Sequence, residues 1–235
     1  MTTALITGAN RGLGYEYTRQ LLARDWEVIA CTRKPDADSL AALSEQYGKR
    51  LRIRALDVTD HAAVDGLSAE FADLPLDLVV NNAGSTGPKG APECMEYSGL
   101  TNMDFAIWRD ILEINVLGAF KVATAFHAQL AAVDAGILVN MSSDVGSCER
   151  NTQGNLYSYR TTKAGLNIMT KGMANEWQDV IAVAMAPGWC QTDLGGAGAE
   201  IPPAESVHAQ LDTLARLTPE DSGRFIDRFG ETVPW

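Results

Sequence analysis

The sequence predicts an α/β fold, a single doubly wound domain whose parallel sheet carries helices on both faces. Short apolar β-type runs alternate with segments of helical periodicity along the chain. A glycine-rich turn follows the first of these runs, and 235 residues without internal repeat, linker or low-complexity segment suit one domain, residues 1–235. Right-handed crossovers between parallel strands place helices on both faces of such a sheet.

Each predicted strand is a short apolar run, and each predicted helix is a longer stretch with helical spacing of apolar residues. The predicted strands are residues 3–7, 27–31, 51–57, 76–80, 136–141 and 179–186. The predicted helices are residues 15–24, 39–47, 61–72, 102–133 and 157–177. Ligands bind at the carboxyl ends of the strands in these sheets. Two stretches with Gly and Pro that follow strand ends, residues 85–99 and 195–203, are therefore predicted to be mobile segments beside a ligand site.

The charge of the chain limits its partners. Lys and Arg number 19 against 30 Asp and Glu, which gives a net charge of -11. A surface of that sign repels phosphodiester backbones and anionic lipid, so we expect no nucleic-acid partner and no membrane partner. A small anion still has a place wherever basic side chains cluster.

The cysteines are scattered along the chain, without a C-x-x-C pair or a His/Cys cluster at metal spacing; they are Cys31, Cys94, Cys148 and Cys190. We therefore expect reduced thiols and no bound metal. The sequence opens directly on a strand-like run without a signal-peptide pattern, and no apolar run nears the roughly 20 residues that span a bilayer. The expected location is the cytoplasm.

A glycine-rich turn lies between the first predicted strand and the first predicted helix. It reads Thr7-Gly8-Ala9-Asn10-Arg11-Gly12-Leu13-Gly14. Glycines permit a tight turn, and they let the free N–H groups of the helix N-terminus approach a pyrophosphate. The spacing is G-x-x-x-G-x-G rather than G-x-G-x-x-G, and a plain tight turn is the alternative. The position between strand and helix favours a dinucleotide site.

The end of the second predicted strand indicates which dinucleotide binds. An acidic residue about 20 positions beyond the glycines would bind the ribose 2′-hydroxyl of NAD. The sequence has two cations there, Arg33 and Lys34, and Arg11 in the glycine turn is a candidate third. These groups suit a 2′-phosphate, which Arg33 can bind in bidentate fashion. We therefore expect NADP(H) to be preferred over NAD(H), the alternative being that Arg33 and Lys34 are ordinary solvated charges.

Tyr159 and Lys163 are four residues apart on a predicted helix and therefore share one face. The reference pKa of tyrosine is about 10, and a shift to near 7 takes roughly 4 kcal/mol at about 1.36 kcal/mol per unit. A nearby ammonium group stabilises the phenolate and lowers that pKa. A tyrosine and a lysine at this spacing occur often by chance, so the rest of the chain decides whether the pair is catalytic.

Motifs in the rest of the chain supply that context. In chain order they are Thr7-Gly8-x-x-x-Gly12-x-Gly14, Leu56-Asp57-Val58, Asn81-Asn82-Ala83-Gly84, Asn115, Met141-Ser142-Ser143, Tyr159-x-x-x-Lys163 and Pro187-Gly188. Together they resemble the short-chain dehydrogenase/reductase family over nearly the whole chain, which implies a Rossmann domain. Residues 157–163, 187–196 and 233–235 resemble a narrower branch, the C-factor proteins and sniffer-type carbonyl reductases.

The resemblance implies a role for each matching residue. Tyr159 would exchange a proton with the substrate, and Lys163 would lower the pKa of Tyr159 and bind the nicotinamide ribose. Ser143 would polarise the substrate carbonyl, and Asn115 would hold a water that feeds protons through Lys163. Ser143 is chosen over Ser142 on resemblance alone. Together with the cations named above, the expected cofactor contacts are Gly8, Asn10, Arg11, Gly12, Leu13, Gly14, Arg33, Lys34, Asp57, Val58, Asn82, Ala83, Gly84, Tyr159, Lys163, Pro187, Gly188 and Thr192.

For several of these residues the alternative is a purely structural role. Asn115 could be a helix-bending residue without a proton role, and Asp57 an ordinary turn former at a strand end. Ser143 and Tyr159 are 16 positions apart, a wider separation than the family usually has. The added length lies in residues 146–155, a polar stretch over the substrate, so the shape of the pocket does not follow from the family.

The sequence thus predicts NADPH-dependent reduction of a ketone or aldehyde, with hydride from the nicotinamide and a proton from Tyr159. Two alternatives stay open: an NADP(H)-binding signalling or regulatory protein of the C-factor type, and an NAD-linked alcohol dehydrogenase. The resemblance also implies a homodimer or homotetramer. The substrate depends on three loops, residues 85–99, 146–155 and 195–203.

Overall fold

A computed structural model describes residues 2–235, and these residues form a seven-stranded parallel sheet in the order β3-β2-β1-β4-β5-β6-β7. The strands are β1 (Thr3–Thr7), β2 (Glu27–Thr32), β3 (Leu51–Ala55), β4 (Leu78–Asn81), β5 (Gly136–Met141), β6 (Val180–Ala186) and β7 (Phe225–Asp227). The strand order reverses between β1 and β4, and ligands bind at the carboxyl ends of the strands beside such a reversal. The predicted doubly wound α/β fold is confirmed.

Helices cover both faces of the sheet, as the alternation of strands and helices predicts. They are α1 (Gly12–Ala23), α2 (Asp38–Tyr47), α3 (His61–Glu70), α4 (Phe105–Leu112), α5 (Ala119–Ala125), α6 (His127–Ala131), α7 (Tyr157–Glu176) and α8 (Pro203–Leu214). One core layer packs α1, α2 and α8 against the sheet, and the other packs α3, α5, α6 and α7. Successive strand residues alternate between the two layers: Ala4 and Ile6 belong to the first and Leu5 to the second.

The prediction of one continuous helix over residues 102–133 is wrong, because the structure has three shorter helices there. Asp104 caps α4 by accepting hydrogen bonds from two backbone N–H groups, so the helix begins only at Phe105. A π-helical turn, Glu113–Gly118, then separates α4 from α5, and a break at Phe126 separates α5 from α6. Periodicity alone does not predict this π-turn, because contacts of Asn115 with Ser85 and Thr162 from other segments support it.

The last part of the chain holds two elements that the sequence analysis did not predict, α8 and β7. Helix α8 begins directly after residues 195–202 with Pro203 in its first turn, a position that suits proline because its missing N–H is not needed there. Strand β7 is three residues long, too short for a pattern, and it pairs with β6 from Ala184 to Ala186. The other predicted elements agree with the structure to within a few residues.

Three further properties bear on the class of protein. Across residues 2–235, no helix reaches the length and apolar character that a membrane crossing requires. In that same part of the chain, His, Cys, Asp and Glu side chains form no group of three suited to a metal ion. All four cysteines are free, and only Cys148 is exposed.

Candidate active site

The glycine-rich turn leaves the carboxyl end of β1 and enters α1 through two left-handed residues, Gly8 at φ +66° and Gly12 at φ +56°. The surroundings of position 14 require glycine, because a Cβ atom there would lie 2.3 Å from the Gly8 carbonyl oxygen and 2.5 Å from Asn82 Nδ2. Only glycine permits these conformations and this approach without strain. Within the turn, Asn10 accepts a hydrogen bond from Ser39 on α2 through its carbonyl oxygen, and Leu13 packs on the core.

Asn82 and Ala83 brace this turn from the end of β4. The Asn82 side chain donates to the carbonyl oxygens of Thr7 (2.9 Å) and Gly8 (3.2 Å). The backbone N–H groups of Asn82 and Ala83 both donate to Thr7 Oγ1 at 3.0 Å. The structure therefore gives Asn82 a bracing role in the turn, which the motif alone did not indicate.

The N-terminus of α1 suits an anion. Arg11 occupies the N-cap position without a side-chain cap, and the first turn carries no acidic residue. The first N–H groups of the helix are thus left without a side-chain acceptor, and the helix dipole favours negative charge at this end. These features fit the pyrophosphate of a dinucleotide.

The predicted cations lie at the edge of this region. Arg33 and Lys34 follow β2 and are exposed, and neither forms an ion pair in the part of the chain that the structure describes. Burial raises the pKa of Asp57, but hydrogen bonds from Thr59 and the charge of Arg33 outweigh it and hold the pKa below its usual value. Arg33 is therefore close to Asp57. The third expected cation, Arg11, pairs instead with Asp193.

Helix α7 carries the two residues expected at the chemical step. Tyr159 is partly buried, and Lys163 is 5% exposed. Lys163 Nζ lies 5.5 Å from the centre of the Tyr159 ring and donates a 2.6 Å hydrogen bond to the carbonyl oxygen of Met141, the last residue of β5. The helix therefore brings the pair together at the carboxyl edge of the sheet, as the four-residue spacing predicts.

In the structure the pKa of Tyr159 is shifted upward, the opposite of the expected lowering. Burial raises the pKa of the phenol, proximity to Cys94 raises it further, and a hydrogen bond with Ser143 lowers it. Lys163 does not offset the burial, because its own pKa is low and it loses its charge before the phenol ionises. Burial also lowers the pKa of Lys163, to about 8. Both groups are therefore shifted toward their neutral forms.

The two serines after β5 have different partners. The buried Ser142 hydroxyl donates to Asn167 Oδ1 on α7 at 2.5 Å. Ser143 begins the next turn, where its hydroxyl accepts a 3.4 Å hydrogen bond from the Val145 N–H and lies near enough to Tyr159 to lower the pKa of the phenol. The geometry thus favours Ser143 as the residue that would contact a substrate carbonyl, and that assignment stays a prediction.

Asn115 lies in the π-helical turn and its side chain is held by protein groups. Its Oδ1 accepts from the Ser85 N–H at 2.8 Å, and its Nδ2 donates to the Ser85 carbonyl (2.9 Å) and to Thr162 Oγ1 (3.0 Å). A Cβ on Gly84 would lie 3.4 Å from Asn115 Oδ1 and 3.8 Å from Lys163 Nζ. Asn115 therefore joins the loop after β4 to the helix turn that carries Lys163, and its predicted water remains a prediction.

The remaining expected contacts border the same edge. Gly188 follows β6 at φ +83°, and the Pro187 carbonyl accepts a 2.7 Å hydrogen bond from Ser206 on α8. Thr192 reaches the glycine turn, since a Cβ on Gly12 would lie 3.1 Å from its Cγ2. Val58 is buried and packs near Gly118, the last residue of the π-turn. The parallel strands thus gather the expected residues at one edge.

The loops after β4 and β6 contact each other above this edge. The Ala91 N–H donates to the Leu194 carbonyl oxygen at 2.9 Å. Glycines allow the close approach, because a Cβ on Gly90 would lie 2.0 Å from the Asp193 carbonyl oxygen. Ala91 belongs to residues 85–99 and Leu194 directly precedes residues 195–203. This hydrogen bond therefore links the two segments that were predicted to be mobile.

Three residues near the site were not predicted from the sequence: Cys94, Arg160 and Asp193. Cys94 is buried close enough to Tyr159 to influence its pKa, and Asp193 pairs with Arg11 across the cleft. Nothing in the sequence around Cys94 or Asp193 marks either residue, since each acts through a contact distant along the chain. Arg160 had one available signal, its position directly after Tyr159.

Comparisons with known proteins agree with this geometry. The profile of a family described as short chain dehydrogenase matches residues 2–200. The C-signal protein of Myxococcus xanthus is 35% identical over 163 residues, which are 68% of this chain and 93% of that protein. The carbonyl reductase Sniffer of D. melanogaster has a similar structure, with a TM-score of 0.89, 28% identity and full coverage of both chains. The NADPH-bound carbonyl reductase from chicken fatty liver matches with the same TM-score and identity over 100% of this chain and 99% of its own.

Proposed function

The chain belongs to the short-chain dehydrogenase family, and from that premise we propose that it is an NADPH-dependent carbonyl reductase. The observation that carries the proposal is the grouping of Ser143, Tyr159 and Lys163 at the carboxyl edge of the sheet. These groups supply a hydrogen-bond donor, a proton donor and a cation at one place. Two structural neighbours whose names describe carbonyl reductases support the same activity.

The cofactor is proposed from the residues that would hold it. The uncapped start of α1 and the glycine turn would bind the pyrophosphate. Arg33 and Lys34, free of ion pairs among residues 2–235, would bind the 2′-phosphate, and Asp57 would border the adenine. When bound, the nicotinamide would supply the hydride that reduces the carbonyl carbon.

The protein residues would handle the proton. The pKa of Tyr159 lies above its already high ordinary value, so its hydroxyl would carry a proton at ordinary pH and would give it to a substrate carbonyl oxygen. The Ser143 hydroxyl would donate a hydrogen bond to the same oxygen and stabilise the charge that develops there. Lys163, whose Nζ lies 5.5 Å from the centre of the Tyr159 ring, would stabilise the phenolate that remains as long as the lysine is charged, below its pKa of about 8.

A spectrophotometric screen tests this function. The purified protein is mixed with NADPH and a panel of ketones and aldehydes, and oxidation of NADPH is followed by its absorbance. We expect turnover with a subset of the panel. Tight NADPH binding without oxidation by any compound would contradict a reductase function.

A second candidate function has its own supporting observation, the 35% identity to C-signal. In this reading the protein binds NADP(H) as a signalling or regulatory molecule and catalysis is incidental. The screen separates the two functions, because a binding protein has no use for the Ser143, Tyr159 and Lys163 group. The NAD-linked alcohol dehydrogenase is a third reading, and a titration with NADH and NADPH distinguishes it.

We also propose that the protein self-associates through the outer face of α4, α5 and α7. Four large apolar side chains are exposed on these helices, namely Phe105 (61%), Leu112 (37%), Phe120 (48%) and Ile168 (75%). Helices α4 and α7 adjoin there, since Trp108 Nε1 donates to Thr161 Oγ1 at 3.0 Å. An exposed apolar face of this kind marks an interaction surface, and a second copy of the chain is the proposed partner.

The cytoplasm is the proposed location. The four cysteines are unpaired and Cys148 is exposed, a state that a reducing compartment maintains. Localisation of a tagged protein by microscopy or fractionation tests this.

A further inference from the structure

The loop between Ser143 and Tyr159 ends in an unusual backbone conformation. Gly154, Asn155 and Leu156 have consecutive positive φ angles of +66°, +59° and +52°. The left-handed region suits Gly and Asn but is uncommon for leucine. Leu156 directly precedes α7, so this turn sets the position from which the catalytic helix starts. Surrounding contacts must hold such a segment in place.

The side chain of Arg160 contacts both ends of this loop. Its Nε donates to the Asn155 carbonyl oxygen at 3.0 Å, and its Nη1 donates to the Val145 carbonyl oxygen at 3.3 Å. Its backbone N–H also donates to the Leu156 carbonyl oxygen at 2.8 Å, which closes the first turn of α7. Val145 directly precedes residues 146–155 and Asn155 is the last of them, so Arg160 bonds to both ends of this stretch.

The chemistry of arginine suits this position. A guanidinium group presents several N–H donors in a rigid plane, so one side chain can bond two separate carbonyl groups. A lysine ammonium group at the same place would be a single flexible centre. Arg160 follows Tyr159 directly, and Val145 lies two residues after Ser143. A link from Arg160 to Val145 therefore ties the segment of the Ser143 hydroxyl to the segment of the Tyr159 hydroxyl.

We propose that Arg160 is a positioning residue that fastens both ends of residues 146–155 to the first turn of α7. It fixes the separation of Ser143 from Tyr159 and the shape of the loop on the substrate side. Its importance for catalysis rests on the proposed reductase function. Its hold on the loop is independent of that function.

The experiment compares Arg160→Met and Arg160→Lys with the wild type. Arg216→Met is the matched control, because Arg216 also donates from a guanidinium to a loop carbonyl, that of Phe229 at 3.4 Å, but on another part of the surface. Hydrogen exchange of residues 146–156 is measured in the cofactor-free protein by mass spectrometry. NADPH affinity, kcat and KM are measured with a carbonyl compound that the wild type reduces.

In Arg160→Met we expect exchange in residues 146–156 to become about tenfold faster, while the core strands keep their protection. The KM for the carbonyl compound should rise about tenfold, while the Kd for NADPH stays within about twofold. The reason is that the substitution frees only residues 146–155, the loop on the substrate side of the site. Arg160→Lys should fall between Arg160→Met and wild type, and Arg216→Met should match the wild type.

Unchanged exchange in residues 146–156 would overturn the proposal, as would faster exchange spread evenly over the whole protein. A carbonyl KM that stays at the wild-type value would overturn the positioning role. A wild-type protein that reduces no carbonyl compound would count against the proposed function instead, and the exchange result would still decide whether Arg160 holds the loop.

Discussion

At the scale of single residues, burial governs the two groups that the chemistry needs. Tyr159 and Lys163 share one face of α7, yet each is shifted toward its neutral form because the surroundings are poor in water. Lys163 loses its charge at about pH 8, below the pH at which the buried phenol ionises, so it does not offset the shift of the tyrosine. The residue types and their spacing were readable from the sequence. The direction of their pKa shifts was not, because it depends on burial and on a partner distant in the chain.

The buried Lys163 predicts a pH dependence of stability. Its pKa is about 8 in the folded protein, below the ordinary value of 10.5. Between these two pH values the unfolded chain binds more protons than the folded one, so the contribution of Lys163 to the free energy of unfolding rises with pH. Below about pH 8 the lysine is charged in both states and the cost of burying it applies in full.

Urea unfolding of wild type and Lys163→Met between pH 7.5 and 10 measures this contribution. We expect the free energy of unfolding of the wild type, relative to that of the variant, to increase across this range. A difference that stays constant or falls with pH would show that Lys163 is not held near pKa 8.

Arg33 provides the second prediction at this scale. Replacement by aspartate, Arg33→Asp, removes the cation expected to meet the 2′-phosphate and places a carboxylate there. We expect the ratio of kcat/KM for NADPH over NADH to fall at least tenfold, corresponding to about 1.4 kcal/mol. Steady-state kinetics with both cofactors measures the ratio, and an unchanged ratio would refute the role of Arg33.

At the scale of elements, the sequence predicted the parts that depend on local pattern. The strands from β1 to β6 and the helices α1, α2, α3 and α7 follow from apolar periodicity and turn residues. The π-turn at Asn115 did not, because it is supported by contacts with Ser85 and Thr162 from other segments. The short β7 did not either, since a three-residue strand is defined by its pairing with β6.

The glycine turn predicts a steric effect at one position. In Gly14→Ala the new Cβ would approach the Gly8 carbonyl oxygen and Asn82 Nδ2 to 2.3 and 2.5 Å. Something must shift, at a cost of about 1–3 kcal/mol. We expect lower thermal stability and at least tenfold weaker NADPH binding, the latter because the turn and the start of α1 move together.

Gly66→Ala in α3 is the matched control, since a Cβ there meets nothing within 4 Å. Alanine favours a helix interior by about 0.5–1 kcal/mol over glycine, so this variant should be at least as stable as the wild type with unchanged NADPH affinity. Unchanged NADPH binding in Gly14→Ala would show that the turn does not form the cofactor site.

At the scale of the whole molecule, the parallel sheet explains why residues scattered from Gly8 to Thr192 meet. Most of the expected segments follow the carboxyl ends of strands, and parallel strands bring those ends to one edge, which the π-turn and α7 also reach. This part of the site was predictable from the order of the motifs. The contact between the loops after β4 and β6 was not, because it joins Ala91 to Leu194 across the fold.

The apolar face of α4, α5 and α7 predicts the state of assembly. We expect light scattering to give about twice or four times the chain mass of 25.3 kDa for the wild type. Ile168→Glu and Phe120→Glu should shift the protein toward the monomer, because a buried unpaired carboxylate opposes association. His208→Glu, on the far face at α8, should leave the assembly unchanged. A monomeric wild type would refute this interface.

The central claim is that Tyr159 delivers the proton in an NADPH-dependent reduction. The most direct measurement is turnover by Tyr159→Phe beside its NADPH affinity, since phenylalanine keeps the ring and removes only the hydroxyl. We expect kcat to fall by about two to four orders of magnitude, the range for loss of a general acid, while NADPH binds with near wild-type affinity. A Tyr159→Phe protein that binds NADPH and reduces carbonyl compounds at the wild-type rate would contradict the account.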